Sequence, residues 1–255
     1  MFKNVLYLTA ICISLIAVSC KGNRGGSSNE TYKDQVVLHT LSDFKGLNPV
    51  TSSDAQAQAA LKNVYQGLLD YNFENLKLIP VLATEVPQMV QKNGGVEVTY
   101  EIRPEAVWDN GTPVTADDYI FSLKACIVPK VVNEHISSLE DVVDVIKDPT
   151  NNKKFTVVFN KTSTQVLDAS GSDVRLMPEY VFDPKGVLKK YTIAQLQLAN
   201  SPAENDPAII EFANFFNGEK ANRDPKFVDG SGAYKLESWV TDQRIVLVKK
   251  DNWWG

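Results

Sequence analysis

Histidine and cysteine are scarce in this chain, with two and three residues respectively in 255. The histidines, His39 and His135, lie far apart in sequence, and no serine sits in a G-x-S-x-G turn, so a nucleophile–base–acid set has little to be built from. Cys126 and His135 could form a thiol pair, but Cys126 closes an amphipathic stretch, where a small buried hydrophobe is the simpler expectation. An excess of one charge sign is missing too: 26 Lys and Arg face 31 Asp and Glu, for a net charge of −5. With no basic cluster, a nucleic-acid-binding face is not expected. Long apolar runs are also absent. The longest, Val5 to Val18, is too short to span a bilayer comfortably.

That run follows Lys3 and ends in small residues, the layout of a secretory signal peptide over 1–20. Its last residues, "IAVSC", look like a bacterial lipoprotein lipobox, which implies that Cys20 is the acylated first residue of the mature chain. Cys12 then leaves with the signal, and Cys126 alone remains in the folded body, so no disulfide can form there. The following stretch, 21–34, "KGNRGGSSNETYKD", is Gly-, Ser- and polar-rich and reads as a flexible tether. The expected location is the cell envelope, outside the cytoplasm, with the lipid holding a soluble body at the membrane.

In the body, "QVVLHTL" (35–41) is a strand candidate, followed by Gly and Pro punctuation. Ala57, Ala60, Leu61, Val64 and Leu68 recur at helical spacing through Leu69. "IPVLATEVP" carries two prolines and reads as extended loop. "VEVTYEI" (96–102) alternates apolar and polar residues, as does "KFTVVFN" (154–160), which "VVDVIKD" can join as a hairpin. "DPAIIEFANFFNG" offers Asp206 as N-cap, Pro207 at the first helical position and Gly218 as a stop, with Ile209, Ala213 and Phe216 inward. "SGAYKLESWVTDQRIVLVKK" gives two more strands around a "TDQ" turn. Mixed helices and strands mean an α/β or α+β body.

"VWDNGTPVTADDYIFSLKA" (107–125) places Asp109, Asp117 and Asp118 within ten residues. "DNG" is a tight-turn triplet, and Thr115 stands where an N-cap hydroxyl would accept a backbone N–H. Asp117 and Asp118 fall in the first helical turn, where a negative charge gains about 0.3–1 kcal/mol from the helix dipole. Ala116, Ile120, Leu123 and Ile127 continue as the buried stripe. Turn, cap and dipole account for the three aspartates without a metal or an acid/base pair.

This segment, lying between "LIPVLATEVP" and "GSGAYKLESWVTDQRIVLVKKDNWWG", resembles the oligopeptide and dipeptide binding family, the large solute-binding proteins of ABC importers. "LNP", "YQGLLDYN", "YEIRPEAVWDNGTPVTADDYIFSLK" and "LMPEYVFD" occur in the family's order, so the resemblance covers Val36 to Gly255. It implies a periplasmic-binding-protein-like type II lobe, 35–53 with 173–255, into which a smaller α+β domain, 54–172, is inserted. It also implies a second lobe that this chain lacks, and hence a fragment of a longer protein that is monomeric when whole.

The implied activity is non-catalytic: peptides, or another small solute such as a nickel complex or sugar, are clamped between lobes and delivered to a membrane permease, with no cofactor and no protein-bound metal. The expected ligand contacts are Thr40, Ser42 and Asp43 past the first strand, Tyr65, Gln66 and Gly67, and Ser231 and Gly232. Tyr65 could equally pack in the core, and Gly67 and Gly232 could serve only close approach and turning. Trp108, Trp239, Trp253 and Trp254 are read as packing residues rather than ligand platforms. The alternatives are a sensory or structural lipid-anchored surface protein with the same fold, and an envelope hydrolase.

Overall fold

Period-two alternation builds the central sheet. In the computed structural model, which describes residues 36–133, 136–198 and 200–255, four antiparallel strands lie side by side in the order Met89–Lys92, Gly95–Glu101, Lys154–Phe159, Val142–Lys147. Three elements precede them: helix α1 (Ala55–Val64) and a two-stranded ribbon of β1 (Leu69–Tyr71) and β2 (Leu78–Pro80). The sheet comprises β3 (Met89–Lys92), β4 (Gly95–Glu101), β5 (Val142–Lys147) and β6 (Lys154–Phe159), with helix α2 (Ala116–Ile127) between β4 and β5. Short helices α3 (Glu179–Phe182) and α4 (Ile193–Gln197) follow, then α5 (Pro207–Asn217) and α6 (Glu219–Arg223). The hairpin β7 (Tyr234–Val240) and β8 (Arg244–Lys249) ends the order.

The register puts Val98 opposite Val157 and Tyr100 opposite Phe155, so the expected apolar faces of β4 and β6 coincide. Helix α2 covers that face: the Tyr119 ring stacks on Phe155 at 4.5 Å, and the Tyr119 hydroxyl donates to the Ser170 carbonyl at 2.9 Å. Each such aromatic side chain, fully buried, contributes about 1.5–3 kcal/mol of transfer free energy. The hydroxyls avoid an unmet desolvation cost by bonding, Tyr100 doing so with Ser170 Oγ at 2.8 Å. Thr40–Gly255 forms one compact unit.

The predicted caps and turns are present with some changes. Asp206 Oδ1 accepts from Ala208 N at 2.8 Å, Pro207 opens α5, and Ile209, Ala213 and Phe216 are buried. At α2 the roles are partly reversed: the Asp118 carboxylate takes the Thr115 N–H at 2.9 Å and its hydroxyl at 3.2 Å, so Thr115 Oγ1 is a donor to the carboxylate. Asp118 is buried, and that burial raises its pKa against the pull of the Thr115 hydrogen bonds. Asp117 pairs with Lys147 at 2.7 Å. Ile120 is only half-buried, one residue off the core stripe. Gly111, at φ +81°, makes the "DNG" reversal, with Val107 bridged to Pro113.

Three expectations need correction. No strand forms over 36–41: Val36, Leu38 and Leu41 are 85%, 82% and 101% exposed, and β-prone residues make a strand only where a neighbour supplies ladder hydrogen bonds. The first helix stops at Val64 instead of running through Leu69, because Tyr65 turns extended (φ −113°, ψ 133°) and caps Leu61 O through its N–H. Leu68, in a bend, and Leu69, which opens β1, both remain buried, which is why helical spacing continues past the helix. "IPVLATEVP" is not wholly loop, since Leu78–Pro80 pairs with Leu69–Tyr71, Pro80 closing the strand where its missing N–H is harmless. The signal over 1–20 with Cys12 and Cys20, the tether over 21–34, and His135 lie outside the described residues. No helix among the described residues is long and apolar enough to cross a membrane.

Candidate ligand-binding site

Two glycines fix where the last hairpin meets the first helix. A Cβ on Gly230 would stand 2.1 Å from the Val64 carbonyl oxygen, and one on Gly232 2.2 Å from that of Asn63. Only a chain without Cβ can lie this close to the end of α1, and the Gly232 N–H donates to Val64 O at 2.9 Å across the seam. Five of the expected contacts therefore converge. Ser231, buried, donates through Oγ to Gln66 Oε1 at 3.1 Å, and the Gln66 carbonyl accepts from Leu176 N at 2.9 Å. Gly67 bridges Arg175, and a Cβ there would meet Gly171 O at 2.7 Å. Tyr65 is a core residue with its hydroxyl on the Phe227 carbonyl at 3.0 Å, and burial pushes its pKa up.

The other three stand apart from the seam. Thr40 and Ser42 are exposed, with Thr40 Oγ1 donating to Ser42 O at 3.0 Å. Asp43 is occupied structurally: it accepts from Trp239 Nε1 at 3.1 Å and from Asp242 N at 3.1 Å, tying the turn of the β7–β8 hairpin down. Arg223 lies 4.6 Å over the Trp239 ring and reinforces that tie.

A second group, unmarked by any short motif, borders the seam. Lys250 Nζ pairs with Asp109 and donates to the Gly230 carbonyl at 2.5 Å, so the "DNG" turn is tied to the base of the last hairpin. Asp229 sits beside them, its Oδ1 buried without a hydrogen-bond partner among the described residues. Burial, then the Asp109 carboxylate, push the Asp229 carboxyl up to about 7, against the opposing pull of Lys250 and of the Tyr180 hydroxyl. Trp253 and Trp254, both half-buried, donate through their indole N–H groups to Ser231 O at 3.0 and 3.2 Å. Nothing in the sequence flags this group, because Asp109, Asp229 and Lys250 come from three distant segments.

Chemically, the seam offers hydrogen-bond groups and indole faces beside a shared-charge cluster. Cys126 is buried, and burial pushes its thiol pKa up to about 12, which leaves it without thiolate character. Among the described residues, no group of three or more His, Cys, Asp or Glu side chains could hold a metal ion.

Residues 77–255 match the family model described as bacterial extracellular solute-binding proteins, family 5 Middle. The periplasmic murein peptide-binding protein MppA of Escherichia coli is 22% identical over 247 residues, 96% of this chain and 41% of that protein. The periplasmic oligopeptide-binding protein OppA of Salmonella typhimurium is 25% identical over 265 residues, 99% of this chain and 43% of that protein. Among solved structures, the oligopeptide-binding protein AppA of Bacillus subtilis, in complex with a nonapeptide, superposes with a TM-score of 0.63 at 17% identity, covering 84% of this chain and 36% of that one. The chain thus spans about two fifths of the length of the curated relatives it matches. The fold is that of part of one lobe of such a binding protein.

Proposed function

The chain belongs to family 5 of the bacterial extracellular solute-binding proteins, and from that premise we propose that it is part of the peptide-binding component of an ABC importer, held outside the cytoplasm by a lipid on Cys20. The observation that carries this reading is the family match over 77–255, which takes in the "DNG" turn, the sheet and the last hairpin together. In this reading a peptide is recognised mainly through its backbone, which gives affinity with little side-chain selectivity. Micromolar binding asks for about 8 kcal/mol, within reach of several satisfied hydrogen bonds and closure over the ligand. The exposed Thr40 and Ser42 hydroxyls and the Gln66–Ser231 seam are the contacts assigned to this chain, with residues 35–53 and 173–255 as the lobe and 54–172 as its insert.

Calorimetry of the protein at the full length of its relatives, with a random tripeptide mixture, tests the reading. Saturable heat together with thermal stabilisation is expected, and the absence of both defeats peptide binding. The anchor has its own test: Cys20→Ser should move the protein from the membrane fraction to the soluble extract, and an unchanged distribution removes the lipid.

A further inference from the structure

Away from the seam, helix α2 turns Asp117, Ile120, Phe121 and Lys124 towards a cavity of about 400 Å³. The spacing i, i+3, i+4, i+7 is one helical face. Lys147 at the end of β5, Glu179 at the start of α3, and Leu188 with Lys189 complete the lining. The volume falls within the range of small-molecule pockets. Ile120, Phe121 and Leu188 provide an apolar floor, and five charged side chains surround it.

Four of the five charges are already matched, Lys147 with Asp117 at 2.7 Å and Lys189 with Glu179 at 2.9 Å. Lys124 is the exception. Its ammonium is half-buried and donates to a neutral group, the Leu188 carbonyl, at 3.1 Å, with no carboxylate at ion-pair distance among the described residues. Burial lowers its pKa, while the more distant Glu179, Asp144 and Asp183 act the other way. An ammonium carries three donors, and Leu188 uses one of them. A partly buried cation beside an apolar floor is short of a counter-charge.

We propose that this cavity binds a small carboxylate with an apolar body, its carboxylate on Lys124 and its body over Ile120, Phe121 and Leu188. Each rim carboxylate is paired with its own lysine, which reduces its repulsion of the ligand. The apolar floor gives an organic acid an advantage over an inorganic anion, because only the former gains from burial there. The site is independent of the peptide reading above, and neither result decides the other.

Benzoate is the probe, followed by amide chemical shifts on the protein as expressed, with benzyl alcohol and sulfate as the neutral and the inorganic comparators. Saturable shifts are expected at Asp117–Lys124 and Leu188, weakened about tenfold or more for benzyl alcohol, for sulfate and in Lys124→Met. Ile120→Glu leaves Lys124 in place but puts a carboxylate on the floor, and should also abolish the shifts, so the proposal stays exposed if Lys124→Met does not fold. Equal binding by Lys124→Met, equal binding of benzyl alcohol, or no shifts at about 10 mM benzoate overturns it.

Discussion

At the scale of single residues, Asp229 has the most to reveal. Its carboxyl is pushed from an ordinary 3.8 to about 7, first by burial and then by Asp109. Between those values the folded protein holds a proton that the unfolded chain has released. The resulting stabilisation is complete below about pH 4 and is lost as pH rises to about 7, at no more than about 1.4 kcal/mol per pH unit. Urea unfolding across pH 4–8 should show that decline, and Asp229→Asn, which keeps the shape of the protonated carboxyl, should flatten it. Parallel curves for the two proteins would refute the raised pKa of Asp229. Gly232→Ala is a steric counterpart: its methyl would meet the Asn63 carbonyl oxygen at 2.2 Å, and backbone cannot swing aside as a side chain does. A loss of about 1–3 kcal/mol in the same assay is expected, and a neutral result would mean the seam is looser than its geometry.

At the scale of elements, helix α1 depends on a cap that its apolar spacing does not announce. Asp54 Oδ1 accepts from Ala57 N at 2.6 Å, and Oδ2 accepts from Lys45 N at 3.2 Å. Asp54→Ala should cost about 1 kcal/mol, a fall in Tm of about 2–4 °C by calorimetry for a chain of this size. Strands β4, β6, β7 and β8 and helices α2 and α5 were legible because their apolar period and their turn or cap residues agree within one short window. The overrun of α1 into Leu68 and Leu69 has a different origin: helix and strand bury against the same core, so the spacing continues while the backbone has already changed. The seam was half legible. Gln66, Gly67, Ser231 and Gly232 stand out by their types, but Asp109, Asp229 and Lys250 meet only through the fold, and the bond from Trp239 to Asp43 has no local sequence signal.

At the scale of the whole molecule, the segment over 36–41 is the clearest consequence of reading a strand from composition alone. Val36, Val37, Leu38 and Leu41 have the branched, apolar character of a buried strand, yet Val37 is 61% exposed and its neighbours more so. A segment of that kind, outside every strand ladder among the described residues, is a template for pairing with another chain. The expressed chain should therefore self-associate in a concentration-dependent way. Two lysines, Val37→Lys with Leu38→Lys, should suppress this, because a charged edge disfavours sheet addition and both positions are exposed. Sedimentation velocity over a hundredfold range of concentration reads the effect directly. A wild-type chain that stays monomeric throughout, or a double variant that associates as strongly, would show that the exposed strip does not drive assembly.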